Sequence, residues 1–400
     1  MPDSHSSQES SKDSLRVGLV TREWPPQVYG GAGVHVVELA QALKTQPNIN
    51  VDVHCFGGAR SDAFGYEVPN EFRSSNPAIQ ALAVDLQIAD KLNEANLVHS
   101  HTWYANFAGL TAKLKYGIPH VVSAHSLEPL RPWKADQLGG GYQISSWVEQ
   151  NSFESADAII AVSDGMRLDV MQAYPKIDPE KIFTIRNGVD CNKFAPNLKP
   201  EVLEKYGITG RYAIFVGRIT RQKGLAHLLK AWREVAPEYG LVLAAGSPDE
   251  AGIGAEVESL ISELQKVREN VWWIKEMAPH DELTALLTSA DLFICPSIYE
   301  PLGIVNLEAM ACETAVLASK VGGIPEVVLN NETGRLIDYD PMRIAKFEKE
   351  IATEVNQLMA DPTLLSQWGK AGRIRAQSHF SWDAVARETI ALYKRVLNIK

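Results

Sequence analysis

Three short segments of the sequence could bind a phosphate or a sugar. The first, YGGAG at residues 29–33, follows a predicted strand at 16–21 and opens a predicted helix. Glycines let the backbone approach a ligand, and free amides at a helix start favour a negative charge. The alternatives are a dinucleotide-binding loop or an ordinary turn. A dinucleotide-binding loop follows its strand almost at once and is paired with an acid ending the second strand; this sequence has neither feature.

The second segment, VGRITRQKG at residues 216–224, carries cations at the end of a predicted buried strand. Arg218 supplies a planar guanidinium and Lys223 a compact ammonium, on a loop that leads into a helix. Together the two groups suit a diphosphate. The alternative is a solvated charged loop, the commonest use of Lys and Arg. The position of the loop after a strand of a parallel sheet favours phosphate binding.

The third segment, EPLGIVNLE at residues 300–308, places two carboxylates around a predicted helix start. Gly303 begins that helix, whose first N–H groups lack partners within the helix and could hold a phosphate or sugar oxygen. Glu300 could accept hydrogen bonds from sugar hydroxyls. Glu308 flanks an apolar stretch and needs a partner, which ribose hydroxyls would provide. The alternative is a favourable charge at the helix N-terminus together with a salt-bridged glutamate.

These segments lie between short apolar runs that alternate with helical patterns. Continuously apolar strands separated by helices predict an α/β fold of two doubly wound domains, each with a parallel sheet. The predicted strands are residues 16–21, 51–56, 97–101, 120–124, 158–162, 182–185, 212–216, 241–245, 271–274, 292–295 and 315–318. The predicted helices are residues 33–43, 76–93, 107–115, 225–235, 255–266, 281–287, 304–310 and 382–397.

The domain prediction places residues 1–14 in a polar, disordered tail. Residues 15–195, completed by a terminal helix within 378–400, form the predicted first domain, and residues 196–377 form the predicted second domain. A segment rich in Asn, Pro and Gly at 187–200 is a predicted linker. Ligands of open parallel sheets bind beyond the carboxyl ends of the strands, so the predicted site is a cleft between two facing domains.

Composition excludes several classes of protein. The 400 residues carry a net charge of −10, which argues against a nucleic-acid binder. No apolar run approaches the roughly 18 residues of a transmembrane helix, and the N-terminus does not resemble a secretory signal. The 4 cysteines are far apart and form no CxxC pair, which is typical of a cytoplasmic protein. The sequence leaves open whether the chain is a monomer or a homodimer.

With these motifs the sequence resembles the retaining GT-B glycosyltransferases of the GT4 family, through EPLGIVNLEAMA, the Gly217-Arg218…Lys223-Gly224 loop and the first glycine segment. The resemblance runs from about residue 16 to the terminal helix, and it implies that residues 15–195 form the acceptor-side domain and residues 196–377 the nucleotide-sugar donor domain. The segments TREWPPQVYGGAGVHV, VHSHTWY and IRNGVD are similar to ADP-glucose-dependent glycogen synthases of actinobacterial type, a group with members that make maltose 1-phosphate. The chain departs from the family at Glu313-Thr314-Ala315, where Gly-Thr-Pro is common, and it is short for a bacterial glycogen synthase.

The resemblance implies roles for individual residues. Arg218 and Lys223 would neutralise the diphosphate as it departs, which is electrostatic catalysis. Glu300 would hold hydroxyls of the transferred glucose, and Glu308 would bind ribose. His125 would lie near the anomeric carbon or the 6-hydroxyl, although a lone histidine at a strand end is often only hydrogen-bonded locally. The backbone contacts to phosphate or glucose would come from Gly31, Ala32, Gly303, Ile304 and Val305.

The resemblance also implies a front-face mechanism, in which the departing phosphate assists the incoming hydroxyl. A two-step mechanism would need a carboxylate nucleophile, for which Glu128 and Asp136 are the nearest candidates in the first domain. We expect no metal and no cofactor, because Arg218 and Lys223 can carry the charge. The pair His99 and His101 shares one face of a strand, but the sequence shows no further ligand, which favours packing or acceptor binding.

The acceptor would bind at a predicted long loop, residues 127–145, which contains a glycine run and aromatic side chains. Trp133, Lys134 and Tyr142 are the candidates there; the alternative is a capped surface loop. The expected donor is a nucleotide sugar and the expected acceptor an α-glucan or glucose 1-phosphate. Because the chain is acidic and the first domain shows no basic amphipathic helix, we expect no membrane partner, and the acidic charge also argues against a nucleic-acid partner.

The leading hypothesis is therefore an enzyme that transfers glucose from ADP-glucose, with retention, to the 4-hydroxyl of a glucan or of glucose 1-phosphate. Three alternatives remain. A mannosyltransferase acting on a phospholipid or small-molecule acceptor would associate with membranes or use another acceptor. A nucleotide-sugar 2-epimerase would release nucleotide without an acceptor. A non-catalytic carbohydrate-binding protein would be favoured if Lys223→Ala and Glu300→Ala left the activity unchanged.

Overall fold

The computed structural model describes residues 14–28, 30–135 and 139–399, apart from the side chain of Ser247, and divides the chain into two compact units. The first unit consists of the residues up to Arg186 together with those from Trp382 onward, and the second unit is Asn187–Ser381. The second unit thus includes residues 187–195 and 378–381, which the sequence prediction assigned to the first domain. Backbone contacts explain this boundary, because the Val189 N–H donates to the Phe380 carbonyl at 2.8 Å. The predicted tail falls almost wholly on residues 1–13, outside the described residues.

The described residues of the first unit contain seven strands that form one parallel sheet. These are β1 (Leu15–Thr21), β2 (Ile49–Phe56), β3 (Phe64–Tyr66), β4 (Leu97–His101), β5 (His120–Ala124), β6 (Ala158–Ala161) and β7 (Ile182–Thr184). Their order in the sheet is β3-β2-β1-β4-β5-β6-β7, so the strand order reverses between β1 and β4. The carboxyl ends of β1 and β4 are consequently the expected position for a ligand of this unit.

Helices cover both faces of the first sheet. They are α1 (Gly31–Lys44), α2 (Pro77–Asp90), α3 (Trp103–Tyr116), α4 (Gly141–Ser155), α5 (Asp164–Ala173) and, at the end of the chain, α14 (Trp382–Val396). Local signals set their starts: the Asn76 side chain accepts a hydrogen bond from the Ala78 amide before α2, and Ser163 caps α5 in the same way. The terminal helix belongs to this unit because Trp382 and Tyr393 are buried in one core with Val36 of α1.

The second unit repeats the plan with six strands among its described residues. They are β8 (Tyr212–Ile219), β9 (Gly240–Pro248), β10 (Val271–Ile274), β11 (Leu292–Cys295), β12 (Ala315–Ser319) and β13 (Gly334–Ile337). Their order is β10-β9-β8-β11-β12-β13, and the reversal lies between β8 and β11. Its helices are α6 (Pro200–Lys205), α7 (Leu225–Ala231), α8 (Ala251–Gln265), α9 (His280–Ser289), α10 (Ile304–Ala311), α11 (Ile324–Val327), α12 (Ile344–Met359) and α13 (Pro362–His379).

The fold class and the strand predictions are confirmed, since every predicted strand is present and four have the predicted bounds: Leu97–His101, His120–Ala124, Val271–Ile274 and Leu292–Cys295. The edge strands β3 and β13 escaped prediction because each is short and contains glycine. The predicted loop at 127–145 was wrong at its end, because α4 begins at Gly141. No helix in the described ranges has the length and apolar character needed to cross a bilayer.

Candidate active site

The loops that follow β8 and β11, the two strands at the reversal of the second sheet, lie against each other. Gly224 permits this contact: its φ is +66°, and a Cβ there would lie 1.9 Å from the Pro296 carbonyl oxygen. A second link is the Ile298 N–H, which donates to the Gln222 carbonyl at 2.9 Å. The close approach brings the cationic loop beside the segment that carries Glu300.

At this junction Lys223, Glu300 and Ser297 form what we call the lysine–glutamate site. Lys223 Nζ lies 2.7 Å from Glu300 Oε2, which also accepts a hydrogen bond from Ser297 Oγ at 3.0 Å. Glu300 is buried, and the Lys223 side chain is about one-fifth exposed at 19%. Desolvation opposes the ammonium, but the adjacent Glu300 carboxylate outweighs it and raises the pKa of Lys223. The lysine is therefore a permanently charged, immobilised cation.

Arg218 is held by a residue that the sequence reasoning missed. Its Nη1 lies 2.7 and 2.8 Å from the two carboxylate oxygens of Asp249, which directly follows β9. The side chain of Arg218 is partly exposed. The sequence signal that could have identified Asp249 is an acidic residue directly after β9, the strand adjacent to β8. Both predicted phosphate-binding cations therefore carry a carboxylate partner, which a phosphate would have to displace.

The start of α10 presents backbone amides beside the lysine–glutamate site. Gly303 has a φ of +94°, and the first hydrogen bond of the helix is from the Asn306 N–H to the Gly303 carbonyl, at 3.0 Å. Among the described residues, the amides of Gly303, Ile304 and Val305 have no acceptor, as expected at a helix start. Glu308 is half-buried on the same helix. This arrangement can bind an anionic or hydroxyl oxygen.

Asn306 is a second polar residue that sequence reasoning missed. It is fully buried, and its Oδ1 has no hydrogen-bond partner within the described part of the chain. Its Nδ2 lies 3.3 Å from the Gly303 carbonyl, and a Cβ at Gly303 would come within 2.4 Å of that nitrogen. Gly303 is therefore required for both its left-handed backbone and the packing of Asn306. The sequence signal for Asn306 was a polar residue between two apolar residues in the first turn of the predicted helix.

In the first unit, His35, His99, His101 and His125 form what we call the histidine cluster. His101 Nδ1 lies 2.9 Å from His125 Nε2, and the ring centroids of His35 and His125 are 4.6 Å apart. Burial lowers the pKa of His99, His101 and His125 well below 6.5, so these rings are neutral at pH 7. Neutral rings can position a hydrogen bond without adding charge.

The histidine cluster is anchored by hydrogen bonds and could hold a metal ion through three of its members. His99 Nδ1 lies 2.7 Å from the Tyr393 hydroxyl, and its Nε2 lies 2.8 Å from Ser123 Oγ, so His99 serves packing. His35, His101 and His125 each offer a nitrogen within 4.8 Å of the others. These three are the metal-ligand candidates among the described residues.

The comparisons with known proteins agree with this geometry. Residues 199–375 match the family model described as glycosyl transferases group 1, and residues 29–193 match glycosyltransferase family 4. The chain is 50% identical to the alpha-maltose-1-phosphate synthase of Mycolicibacterium smegmatis over 387 residues, covering 96% of this chain and 100% of that protein. The chain belongs to the group 1 glycosyltransferases.

Two more distant proteins are also similar to this chain, one in sequence and one in fold. This glycosyltransferase is 28% identical to the glycogen synthase of Mycobacterium tuberculosis, over 95% of this chain and 94% of that protein. Its fold resembles the sucrose-phosphate synthase of Thermosynechococcus elongatus with a TM-score of 0.81 and 22% identity, over 96% of this chain and 99% of that chain. The predicted GT-B class and hexosyltransferase activity are thereby confirmed.

The residues of the first glycine segment of this glycosyltransferase differ in what surrounds them. The Gly30 N–H donates to Glu23 Oε2 at 2.9 Å, and a Cβ at Gly33 would lie 2.3 Å from the same oxygen. Gly30 and Gly33 thus make room for Glu23. Gly31 instead faces open space, and Ala32 is half-buried beside it. Gly31 and Ala32 are the members of the segment that a ligand can reach; Tyr29 lies outside the described residues.

The predicted acceptor residues differ in what surrounds them. Tyr142 lies in the first turn of α4 and not in a loop, and its hydroxyl donates to the Glu128 carbonyl at 2.8 Å. Its ring packs against the small core of Ala78, Ala81 and Trp103. Trp133 and Lys134 are half-buried and lie just after the short turn Glu128–Leu130. The structure thus connects Tyr142 to the carboxyl edge of the first sheet.

Glu128 anchors the fold and is unsuited to be a nucleophile. It is fully buried, and its two oxygens accept hydrogen bonds from Arg131 Nη2 at 2.5 Å and from Ser145 Oγ at 2.7 Å. Its backbone N–H donates to Glu149 Oε1 at 2.7 Å. Desolvation and the Glu128 carboxylate raise the pKa of Glu149 to about 8. Asp136, the other carboxylate considered, lies outside the described residues.

Proposed function

We propose that this glycosyltransferase transfers glucose from ADP-glucose to the 4-hydroxyl of glucose 1-phosphate, with retention, and so makes maltose 1-phosphate. The observation that carries the proposal is the 50% identity over 96% of this chain and 100% of a protein named alpha-maltose-1-phosphate synthase. Maltose 1-phosphate is a glucosyl unit joined to glucose 1-phosphate, which defines the acceptor. A glucan acceptor is the second candidate, on the 28% identity to a protein named glycogen synthase.

On the donor side, we assign the diphosphate to Lys223 and Arg218. Each cation is held in place by a carboxylate, Glu300 or Asp249, so the site is preorganised before the substrate binds. When the phosphate arrives it replaces part of that pairing, and the positive charge then stabilises the departing nucleotide. Because these two groups neutralise the leaving group, the proposed reaction requires no metal and no cofactor.

The sugar and ribose of the donor are assigned to α10 and the segment before it. Glu300 Oε1 has no hydrogen bond among the described residues, so it is available to hydroxyls of the transferred glucose. The amides of Gly303, Ile304 and Val305 supply donors to the glucose or phosphate. Glu308 binds the ribose in this proposal. Gly31 and Ala32 of the first unit are also assigned to the donor phosphate in this proposal.

His125 is assigned to the reacting sugar, near the anomeric carbon or the 6-hydroxyl. It is half-buried, and its Nε2 is engaged with His101 Nδ1 at 2.9 Å, which leaves Nδ1 for the substrate. A neutral ring there can donate or accept a hydrogen bond without competing for the diphosphate. Trp133, Lys134 and Tyr142 would bind the acceptor.

Retention follows in this proposal from front-face attack. A double displacement needs a carboxylate on the opposite face of the sugar. Glu128 cannot serve, because both of its oxygens are occupied and it is fully buried. The departing phosphate would then remove the proton from the incoming 4-hydroxyl as the glycosidic bond breaks.

A donor and acceptor matrix tests the proposal. ADP-, UDP- and GDP-glucose and GDP-mannose are each incubated with glucose 1-phosphate, glycogen or no acceptor, and products are identified by mass spectrometry and NMR. We expect α-linked maltose 1-phosphate from ADP-glucose and glucose 1-phosphate. Glycogen elongation in its place would select the second candidate. Nucleotide release without acceptor would indicate an epimerase, and transfer from GDP-mannose alone would indicate a mannosyltransferase.

A further inference from the structure

Arg22 occupies the position where a ligand of the first sheet is expected. It directly follows β1, and Tyr104 lies three residues beyond the end of β4, so the two residues flank the reversal of strand order. The Arg22 guanidinium carbon lies 4.0 Å from the centroid of the Tyr104 ring. This stacking fixes the orientation of the planar cation and leaves its N–H edges directed away from the ring.

The guanidinium of Arg22 has no counter-ion in the described part of the chain, and it forms no hydrogen bond there. The other arginines that follow strands of this sheet are all engaged. Arg131 pairs with Glu128 and Arg186 with Asp164, while Arg60 and Arg167 donate to backbone carbonyls. Lys134 also has a partner. An immobilised cation without a counter-ion at a ligand-binding edge is suited to an anionic ligand.

Aromatic packing connects Arg22 to the predicted acceptor residues. Tyr104 stacks on Trp103 with ring centroids 3.9 Å apart, and Tyr104 and Tyr142 both pack against the small core of Ala78, Ala81 and Trp103. Tyr142 in turn is bonded to Glu128 at the start of the predicted acceptor segment. The cation therefore belongs to the acceptor side of the first unit, while the assigned diphosphate cations Arg218 and Lys223 belong to the second unit.

We propose that Arg22, oriented by Tyr104, binds the phosphate monoester of a sugar-phosphate acceptor and thereby selects it over an uncharged glucan. This inference rests on the proposed function for its acceptor. Phosphate monoesters pair bidentately with guanidinium groups, whereas a glucan chain offers only hydroxyls. Arg22 is thus a specificity-determining residue for the acceptor and makes no contribution to donor binding.

The test compares Arg22→Gln with the wild type on two acceptors at saturating ADP-glucose. Removing a charged hydrogen-bonding group should raise the KM for glucose 1-phosphate by about tenfold or more. The kcat/KM for maltotetraose, an uncharged acceptor, should stay within about twofold. Arg73→Gln is the control, because Arg73 is an exposed arginine of the same unit that pairs with Glu67. Tyr104→Leu, which removes the stacking ring, should raise the same KM by a smaller factor.

The inference is overturned if Arg22→Gln leaves the KM for glucose 1-phosphate unchanged, or if it weakens both acceptors equally. Isothermal titration of glucose 1-phosphate into the ADP-bound enzyme separates this failure from failure of the proposed function. If the wild type makes no maltose 1-phosphate, the proposed function fails. Binding of glucose 1-phosphate that is lost in Arg22→Gln would still support the phosphate site, and equal binding by both proteins would reject it. Matching melting temperatures check the fold of each variant.

Discussion

The lysine–glutamate site and the histidine cluster both include residues at the carboxyl ends of strands of a parallel sheet, but they differ in charge. In the second unit, Lys223 is charged and is kept so by a carboxylate 2.7 Å away. In the first unit, burial holds His101 and His125 neutral. The difference teaches that a parallel sheet can provide either kind of site, because the loop after each strand decides which side chains meet there and how much water they retain.

Removing the charge from the lysine–glutamate site should have the largest effect. We expect Lys223→Ala to lower kcat by about a hundredfold or more, the scale for losing a group that stabilises developing charge. Lys230→Ala is the control, because Lys230 lies on the following helix in an exposed pair with Glu256. Steady-state kinetics with ADP-glucose measure both variants. A Lys223→Ala enzyme with near wild-type kcat would contradict the charge assignment and remove the contrast between the two regions.

The histidine cluster should respond to loss of a hydrogen bond, with a smaller effect. His101→Phe keeps a ring but removes the nitrogen that meets His125, and we expect kcat to fall by about tenfold, the equivalent of one hydrogen bond. His101→Asn places a polar nitrogen near the position of Nδ1 and should recover much of the loss. The pH profile of kcat should show no ionisation near pH 6.5 in the wild type, because His101 and His125 stay neutral. Equal losses in Phe and Asn variants would indicate a purely packing role.

The buried carboxylate beside the acceptor segment should affect stability and not catalysis. Burial and Glu128 raise the pKa of Glu149 to about 8 from an unfolded value near 4.3. The folded protein therefore keeps a proton that the unfolded chain releases, so stability should fall as pH rises between these two values. Glu149→Gln should flatten this dependence by roughly 1–3 kcal/mol between pH 5 and 8.

Urea unfolding across that pH range measures the effect of Glu149→Gln. Glu154→Gln provides the control, because Glu154 lies on the same helix and is partly exposed. Identical pH slopes for the wild type and the Glu149→Gln protein would show that Glu149 is not the titrating group.

How far the site could be predicted depended on whether its partners lie near one another in sequence. Gly303 and the amides after it could be placed from one segment, because a helix start is a local feature. The pairing of Arg218 with Asp249 spans 31 residues, and that of Lys223 with Glu300 spans 77. Sequence reasoning identified three of these four residues but could not know that the cations are already neutralised in pairs.

The acceptor side was harder to predict for the same reason. The glycine run before residue 142 indicated a loop, whereas a helix begins at Gly141 and Tyr142 packs against the small core of Ala78, Ala81 and Trp103. Glu128 was a candidate nucleophile by type alone, and its burial between Arg131 and Ser145 excludes that role. The stacking of Arg22 on Tyr104 joins residues 82 positions apart through two adjacent strands, which no local pattern contains.

By itself the sequence determined the α/β class, the positions of nearly all central strands and the segments that carry the donor chemistry, because hydrophobic periodicity and glycine or cation placement are local properties of the chain. Tertiary structure decided the charge state and partner of each group. It neutralised the histidines by burial, paired Lys223 with Glu300 and Arg218 with Asp249, and left Arg22 without a counter-ion in the part of the chain that the structure describes. Those outcomes depend on desolvation and on distances between residues remote in sequence, and both are set only when the sheets assemble.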